Sequence, residues 1–285
     1  MRAALWMLGA LVSFCLMAIG ARELSGSVNT FQIMFFRSAI GLVVVVGMLL
    51  IAKKKTLLKT DRPGLHLTRN IFHFMGQYGW FLGIGLLPLA EVFALEFTVP
   101  LWTAIMASVF LGEKLSAFRV LAVILGMTGV AIIVKPGSEI FDEASLIVLG
   151  AAVGFAIAHT ATKSLSLTDH PMTILFYMCL IQLPMGLGLS LTGWQVPGME
   201  QWFWIVVIGL TALSAHFCTT MAMKWADATV VVTLDFLRLP VIAVAGVLLY
   251  QEQFEISLIL GGLIMLFGNL LNMQRSRRSD PAVRP

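Results

Sequence analysis

Residues 95–100 read LEFTVP, and residues 234–240 read LDFLRLP. Both stretches place an acidic residue inside an apolar run and follow it, about one helical turn later, with a proline. The two acids, Glu96 and Asp235, are 139 positions apart. A motif that returns at such a distance indicates that the chain consists of two related halves.

The sequence around both motifs is too apolar for a water-soluble protein. Hydrophobic residues make up 59% of the 285 residues and charged residues 12%, with a mean hydropathy of +0.91. Globular proteins have roughly 45–50% apolar and 25% charged residues. Cys15, Cys179 and Cys218 lie far apart in apolar runs, which predicts small buried side chains rather than disulfides. We therefore expect an all-α integral membrane protein.

Ten segments are long and apolar enough to cross the hydrocarbon core, about 30 Å thick, as transmembrane helices. The connections between them are short and rich in turn-forming residues, so we expect no separate soluble domain. The predicted spans are residues 4–21, 31–51, 67–87, 90–111, 117–134, 145–163, 172–191, 202–222, 229–249 and 256–273.

The distribution of Lys and Arg predicts that both termini are cytoplasmic. With the amino terminus inside, four of the 19 bases lie elsewhere: Arg22 and Lys135 in outer loops, and Arg37 and Arg238 within spans. The other 15 (19 minus four) lie in cytoplasmic segments, as the positive-inside rule requires. The net charge of +4 therefore concerns orientation in a membrane, and we expect no nucleic-acid partner.

The two halves align well beyond the acidic motifs. At an offset of 139 residues Gln77 aligns with His216, and at an offset of 141 residues Phe14 aligns with Phe155. Each half holds five spans, an odd number, so the second half enters the bilayer upside down; such inverted repeats are common in secondary transporters. A stable bundle without transport activity is the alternative. The predicted domains are a first repeat at 4–136, a second repeat at 145–273 and a basic cytoplasmic tail at 274–285.

Four charged residues lie at membrane depth: Arg37, Glu96, Asp235 and Arg238. Each costs roughly 2.5–3.5 kcal/mol on insertion scales, so such residues face a cavity or a partner. Similar depth makes Arg37 and Glu96 a candidate ion pair, while Asp235 and Arg238 share one helix face. The group predicts a substrate or proton site in one cavity; structural salt bridges between helices are the alternative.

Two prolines, Pro100 and Pro240, are predicted to break spans 4 and 9 just beyond the acids. Proline removes one helical hydrogen bond and clashes with the preceding turn. Broken helices beside a buried charge are typical of transporter binding sites. An ordinary kink in a packed helix is the other interpretation.

Span 3 carries a polar stripe at steps of three and four residues, hence on one face. Its members are His66, Arg69, Asn70, His73 and Gln77. We expect the stripe to line a cavity, with His66 and Arg69 at the cytoplasmic mouth. Hydrogen bonding between helices is the alternative. His216 occupies the matching region of span 8.

Aromatic residues near the acids, at Trp80, Phe97 and Trp102, offer stacking faces to a planar ligand, although packing is their commoner role in membrane helices. The predicted substrate-binding or coupling residues are Arg37, His73, Gln77, Trp80, Glu96, His216, Asp235 and Arg238, with Pro100 and Pro240 as helix breaks.

A membrane-embedded enzyme is the main alternative class, and it requires a nucleophile–base pair or a metal cluster. No GxSxG, HExxH or Walker A motif occurs in the sequence. We therefore expect no catalytic residue, metal or cofactor; a substrate or ion gradient rather than ATP supplies the energy, or transport is passive.

The carboxyl-terminal part of each half carries a familiar motif set. The first half has Pro100, Phe110-Leu-Gly-Glu113-Lys-Leu and Gly126 through Lys135-Pro136-Gly137; the second has Pro240, Tyr250-Gln-Glu252 and Gly261-Gly262. By these motifs the chain resembles, over nearly its whole length, the ten-helix EamA branch of the drug/metabolite transporter superfamily. The resemblance implies an inner-membrane carrier with paired EamA domains and a central cavity. The second copy departs from the first, with Gln251 for Gly112 and Gln253 for Lys114.

Three further stretches resemble bacterial uptake carriers described as riboflavin and S-adenosylmethionine importers. They are Phe35-Phe36-Arg37, Arg62-Pro63 with His66 and Arg69, and Asp227-Ala228-Thr229. The resemblance implies uptake of a small organic metabolite by alternating access. We expect riboflavin, because the lining has few acids to attract a sulfonium; S-adenosylmethionine uptake and amino-acid or drug export are the alternatives. The expected partners are this substrate and lipid, with the chain as monomer or homodimer.

Overall fold

A computed structural model describes residues 2–111, 117–134, 143–165, 167–225, 234–253 and 255–279. These residues form eleven α-helices, one short 3-10 helix and no strand, which confirms the all-α expectation. The helices are α1 (Arg2–Leu24), α2 (Thr30–Ile51), α3 (Pro63–Leu86), α4 (Leu89–Glu96), α5 (Val99–Leu111), α6 (Ala117–Val134), α7 (Glu143–Leu165), α8 (Pro171–Ser190), α9 (Met199–Trp225), α10 (Arg238–Tyr250) and α11 (Ile256–Ser279).

Eight of the ten predicted spans correspond to one helix each, with ends that differ by a few residues. The exceptions are span 4, which is split into α4 and α5, and span 9, whose residues 229–233 lie outside the described part. Helix α11 continues to Ser279, into the predicted tail, and residues 280–285 lie outside the described part. So do Glu113, the Lys135-Pro136-Gly137 motif and the Asp227-Ala228-Thr229 motif.

The break in span 4 falls directly after Glu96 rather than beyond it. Helix α4 ends there, Phe97 and Thr98 form a turn, and α5 begins with Pro100 as its second residue. A proline is tolerated in the first turn of a helix because amide groups there have no intrahelical partner. The Thr98 hydroxyl donates to the Leu95 carbonyl at 2.7 Å, which satisfies an acceptor at the break.

The outside of the bundle is apolar, as contact with lipid requires. Ile51 and Leu248 are among many large apolar side chains that are exposed. Among the described residues, five helices (α1, α2, α7, α8 and α9) are long and apolar enough to cross a membrane by length and composition. Helix α3 is not among them because its polar stripe lowers its hydropathy, yet that stripe is buried inside the bundle.

Helix packing repeats the pattern predicted from the halves. Helix α1 packs on α9 and α3 on α7; α2 packs on α8, α4 on α10 and α6 on α11. If each helix is exchanged for its counterpart in the other half (α1 with α7, α2 with α8, α3 with α9 and α6 with α11), the α1–α9 and α3–α7 pairs replace each other, and the α2–α8 and α6–α11 pairs are unchanged. The bundle therefore has an internal pseudo-twofold arrangement.

Contacts at the helix ends show that the halves run in opposite directions. The carboxyl-terminal ends of α1 and α3 lie together, because Arg22 donates to the Leu87 carbonyl. The loop after α7 lies at the other end of α3, where Asp169 binds His66 at 2.7 Å. Helix α1 thus runs parallel to α3, and its counterpart α7 runs antiparallel to α3. This is the geometry of an inverted repeat.

The crossing of α3 and α7 depends on small residues. A Cβ on Gly154 would lie 2.9 Å from the Phe72 carbonyl oxygen and 3.2 Å from the Gly76 amide nitrogen. Only glycine permits this approach of two helix backbones. Gly150, one turn earlier on α7, faces open space, so it does not take part in this contact.

A polar cluster fastens the loop after α7 to the start of α3. Asp169 accepts hydrogen bonds from Thr60 at 2.6 Å and His66 at 2.7 Å, and Arg62 donates to the Ser164 carbonyl and hydroxyl, each at 2.9 Å. Burial alone raises the pKa of Asp169, but the hydrogen bonds it accepts lower that pKa below the usual value for aspartate.

We expect this cluster to stabilise the fold above the ordinary aspartate pKa of about 3.9 and to lose that contribution as the pH falls through the lowered pKa. The Asp169→Asn variant should therefore unfold at a lower temperature than wild type near neutral pH. The difference in unfolding temperature between the two proteins should narrow as the pH falls through the lowered pKa of Asp169. Thermal unfolding in detergent measures the difference in unfolding temperature. Asp61→Asn, at an exposed aspartate, is the control. A gap that does not change with pH would contradict the assignment.

Candidate functional site

A cavity of about 270 Å³ lies between the two halves, at the breaks before α5 and α10. All eight residues predicted to bind substrate or couple transport line this cavity, as does Pro100. Pro240 does not; it lies on an apolar groove beside α11. The lining residues are Phe14, Met17, Arg37, His73, Gln77, Trp80, Phe81, Glu96, Phe97, Val99, Pro100, Phe155, His159, His216, Thr219, Asp235, Phe236 and Arg238.

The shape of the cavity follows the internal repeat. Phe97 and Phe236 occupy equivalent positions and stack on each other, with ring centroids 4.2 Å apart and planes 15° from parallel. Both members of five further pairs of equivalent residues line the cavity, so the pseudo-twofold arrangement relates the wall from the first half to the wall from the second. The pairs are Phe14 with Phe155, Gln77 with His216, Trp80 with Thr219, Glu96 with Asp235, and Val99 with Arg238.

Two carboxylates share one guanidinium on one side of the cavity. Arg238 Nη2 lies 2.6 Å from Asp235 Oδ2 and 3.7 Å from Glu96 Oε1. The Trp80 indole donates to Glu96 Oε2 at 2.8 Å, and Arg238 stacks over the Phe14 ring at 4.3 Å. This acidic cluster, defined as Glu96, Asp235 and Arg238, has one more formal negative charge than positive.

The predicted ion pair between Arg37 and Glu96 is wrong, because Arg238 is the cation beside Glu96. Similar depth in the bilayer suggested the pair, but depth does not specify which helices are neighbours. Helix α4 packs on α10, so the residue that reaches Glu96 comes from the second half.

The other side of the cavity is basic. Arg37 is 4% exposed, and its Nε atom has no hydrogen-bond partner. His73 is bound to Gln182 through Nδ1 at 2.9 Å, and its ring centroid lies 6.0 Å from that of His216. His159 completes this side. These lining residues include no carboxylate, and the Arg37 guanidinium offers donors to a ligand oxygen here.

The polar stripe on α3 serves two purposes, and only part of it lines the cavity. His73 and Gln77 line it, as predicted. His66 instead binds Asp169, and Arg69 donates to Thr162 Oγ1 at 3.0 Å. The expectation that the whole stripe lines a cavity is therefore wrong, because its first turns lie against α7 and the loop after it, where His66 and Arg69 form hydrogen bonds.

Two of the three aromatic residues expected to offer stacking faces to a planar ligand lie at the cavity. Trp80 and Phe97 line the cavity. Trp102 donates to Thr98 at 3.1 Å and packs on Ala152 and Ala156 of α7, outside the lining.

The sequence interpretation missed several lining residues, and the repeat alignment contained the signal for most of them. Phe14 and Phe155 align with each other, and Phe236 aligns with Phe97. His159 has no such signal, since its role depends on how α7 rotates against α3. Among the described residues, no group of three His, Cys, Asp or Glu side chains is placed to hold a metal.

A second ion cluster closes the end of the bundle where α1, α3 and α10 terminate. Glu252 accepts a hydrogen bond from Arg22 Nη2 at 3.0 Å and two from the Leu89 amide at 3.0 and 3.1 Å. Leu89 is the first residue of α4, and Pro88 before it supplies no side-chain cap. A carboxylate is favourable at a helix amino terminus, so Glu252 caps α4 from the other half of the chain.

Comparison with known proteins gives the same picture. The chain is 25% identical to an S-adenosylmethionine uptake transporter of Rickettsia bellii, over 96% of this chain and 94% of that protein. It is 31% identical to a riboflavin transporter of Vibrio cholerae, over 88% of this chain and 85% of that protein. The chain shares its fold with a solved crystal structure at a TM-score of 0.67 and 17% sequence identity. The match covers 97% of this chain and 98% of that one.

A model of the EamA-like transporter family matches the chain twice, at residues 1–135 and 143–274. The two matches correspond to the two halves recognised from the repeat. Together with the apolar bundle and its central cavity, they show that this chain belongs to the EamA-like transporter family and is a multi-pass membrane transporter.

Proposed function

We propose that this transporter takes up riboflavin across the bacterial inner membrane. The observation that carries the proposal is the cavity between the halves, where aromatic walls at Phe97, Phe236 and Trp80 stand beside the donors of Arg37 and Gln77. Riboflavin has a flat ring system that stacks on such walls and ring carbonyls that accept from such donors. The similarity to a riboflavin transporter supports this substrate.

The cavity volume indicates how the substrate fits. Ligand pockets measure roughly 300–1,000 Å³, and this cavity measures about 270 Å³. A ligand of vitamin size therefore requires the halves to separate somewhat as it binds. Alternating access supplies that movement, since the inverted halves can expose one central site to either side in turn.

S-adenosylmethionine is the second candidate, and the acidic cluster favours it. The sequence suggested few acids in the lining, but Glu96 and Asp235 both reach the cavity and share a single arginine. Their excess negative charge suits a sulfonium or ammonium group, while the aromatic walls suit a purine ring. The similarity to S-adenosylmethionine uptake transporters supports this alternative.

The remaining features of the proposal follow from the sequence. Both termini are cytoplasmic, which places the Arg22–Glu252 cluster on the outer face. Transport is secondary, driven by a substrate or ion gradient, with no catalytic step. The protein functions as a monomer or homodimer in lipid.

We expect expression of this chain to restore growth of a riboflavin-auxotrophic bacterium that lacks its own importer, at low external riboflavin. Uptake of labelled riboflavin into the same cells measures the activity directly, and the Phe97→Ala variant, which lacks one stacking wall, should reduce it. A parallel strain that depends on external S-adenosylmethionine tests the second candidate. Absence of riboflavin growth and uptake, with normal amounts of protein in the membrane, would contradict the riboflavin proposal.

A further inference from the structure

The Arg37 guanidinium is a buried cation to which no described residue supplies a counter-ion. It is 4% exposed, its Nε is buried without a hydrogen bond, and no ion pair joins it to the described residues. A buried charge without a partner is strongly unfavourable, so proteins seldom retain one that has no functional role. Arg69 lies close enough for the two positive charges to repel each other, which increases that cost.

Packing does not explain why an arginine stands here. At the offset of 141 residues, Arg37 aligns with Met178 in the second half. Met178 is 2% exposed, so an apolar side chain fills the equivalent place there. Arg238 is the comparable case on the other side of the cavity: its counterpart Val99 is apolar, but Arg238 is held by two carboxylates. Arg37 has no such partner.

The space around Arg37 limits what its partner is. On one side it lines a cavity of about 10 Å³, at the lower limit of the volume that holds one water molecule. On the other side it lines the central cavity of about 270 Å³. A counter-ion of the size of a carboxylate therefore fits only in the central cavity, which is where the substrate binds under the proposed function.

We infer that Arg37 binds the substrate through a planar oxygen acceptor, either a carboxylate or the ring carbonyls of a heteroaromatic imide. Guanidinium groups donate two parallel hydrogen bonds to such oxygens. The acidic cluster across the cavity then faces the donor or cationic part of the same molecule. The substrate class is a flat, dipolar molecule with acceptors at one end and donors or positive charge at the other.

This inference rests on the proposed function, and binding measurements separate the two. Riboflavin and S-adenosylmethionine are titrated against purified protein in nanodiscs, comparing wild type with Arg37→Met and Arg37→Lys. We expect Arg37→Met to weaken binding of the ligand about 10- to 100-fold. The affinity of Arg37→Lys should lie between those of wild type and Arg37→Met. Arg69→Met is the matched control, since Arg69 is equally buried but lies outside the cavity, and it should leave the affinity unchanged.

Analogues identify the source of the oxygens. If riboflavin binds, lumichrome, which retains the ring carbonyls but lacks the ribityl chain, should lose affinity for Arg37→Met by the same factor. If S-adenosylmethionine binds, its decarboxylated analogue should bind wild type and Arg37→Met equally. A binding ligand whose affinity does not change in Arg37→Met would overturn the inference.

Stability provides a readout that needs no ligand. Removing an unpaired buried charge should raise the thermal unfolding midpoint or leave it unchanged, whereas Arg69→Met should lower it, because Thr162 and Asn70 each lose the hydrogen bond that Arg69 donates to them. If neither compound binds wild type, the proposed function fails while this comparison still tests Arg37. A lower unfolding midpoint in Arg37→Met would show a structural role and would overturn the inference.

Discussion

The Arg238→Met variant is expected to lose transport and to lower the free energy of unfolding by about 3 kcal/mol. Arg238 lies between Asp235 and Glu96, and its side chain is 5% exposed. Without it, two carboxylates line the same cavity and lose the cation that they share, and breaking a buried ion pair costs roughly 3–5 kcal/mol. The lower end applies because the carboxylates retain exposures of 24% and 19% toward the cavity.

The triple variant Glu96→Gln, Arg238→Met, Asp235→Asn separates stability from transport. Replacing a whole buried ion cluster with neutral groups is often close to neutral in stability, so this variant should unfold within about 1 kcal/mol of wild type. Its transport should stay absent, because the groups that face the substrate are gone. Denaturant unfolding in mixed micelles and uptake into proteoliposomes measure the two quantities.

Two single variants serve as internal controls for this experiment. Glu96→Gln and Asp235→Asn each leave one carboxylate for Arg238, so the fold should hold while the transport rate falls at least about tenfold. Unchanged transport in both would remove the acidic cluster from the mechanism. Equal stability of Arg238→Met and wild type would show that the cluster is hydrated in the resting protein.

The fold was largely predictable from the sequence because lipid leaves few alternatives. Every backbone amide must be paired inside the bilayer, so long apolar segments form helices, and the repeat of Glu96 at Asp235 implied how the halves relate. The sequence also predicted which polar residues reach the cavity, since charges such as Arg37 are too costly to face lipid.

The choice of partners was not predictable in the same way. Arg37 and Glu96 have similar depths, but pairing depends on which helices are neighbours, and that depends on packing across the whole bundle. His66 shows the same limit: it shares a helix face with His73, yet it binds Asp169 in a loop because α3 passes from the cavity into a helix interface. Glu252 belongs to a degenerate motif, and its capping role depends on a contact between distant segments.

Replacing Glu252 with alanine is expected to open the end of the transporter that the proposed orientation places outside, here called the outer end. Glu252 connects α1 through Arg22 and caps α4 through the Leu89 amide, and its side chain is 11% exposed. Losing hydrogen bonds to a charged group costs about 1.5–3 kcal/mol each, so the closed state should lose about 10- to 100-fold in population. Transport should fall, because a cycle of alternating access requires the outer end to close.

Cysteine labelling measures this opening. Thr219→Cys, at the cavity wall, is introduced into a chain whose three cysteines are replaced by alanine, and an impermeant thiol reagent is added to intact cells. Glu252→Ala should increase the labelling rate at least about tenfold. The rate for Glu252→Gln should lie between those of Glu252→Ala and the protein with Glu252 intact, because the glutamine amide oxygen still accepts a hydrogen bond from the Leu89 amide. The control Glu255→Ala removes an exposed acid that binds Ser257 and should not change the rate. Labelling that is equally slow in Glu252→Ala would mean that the Arg22–Glu252 pair joins the two halves of the bundle without controlling access to the cavity.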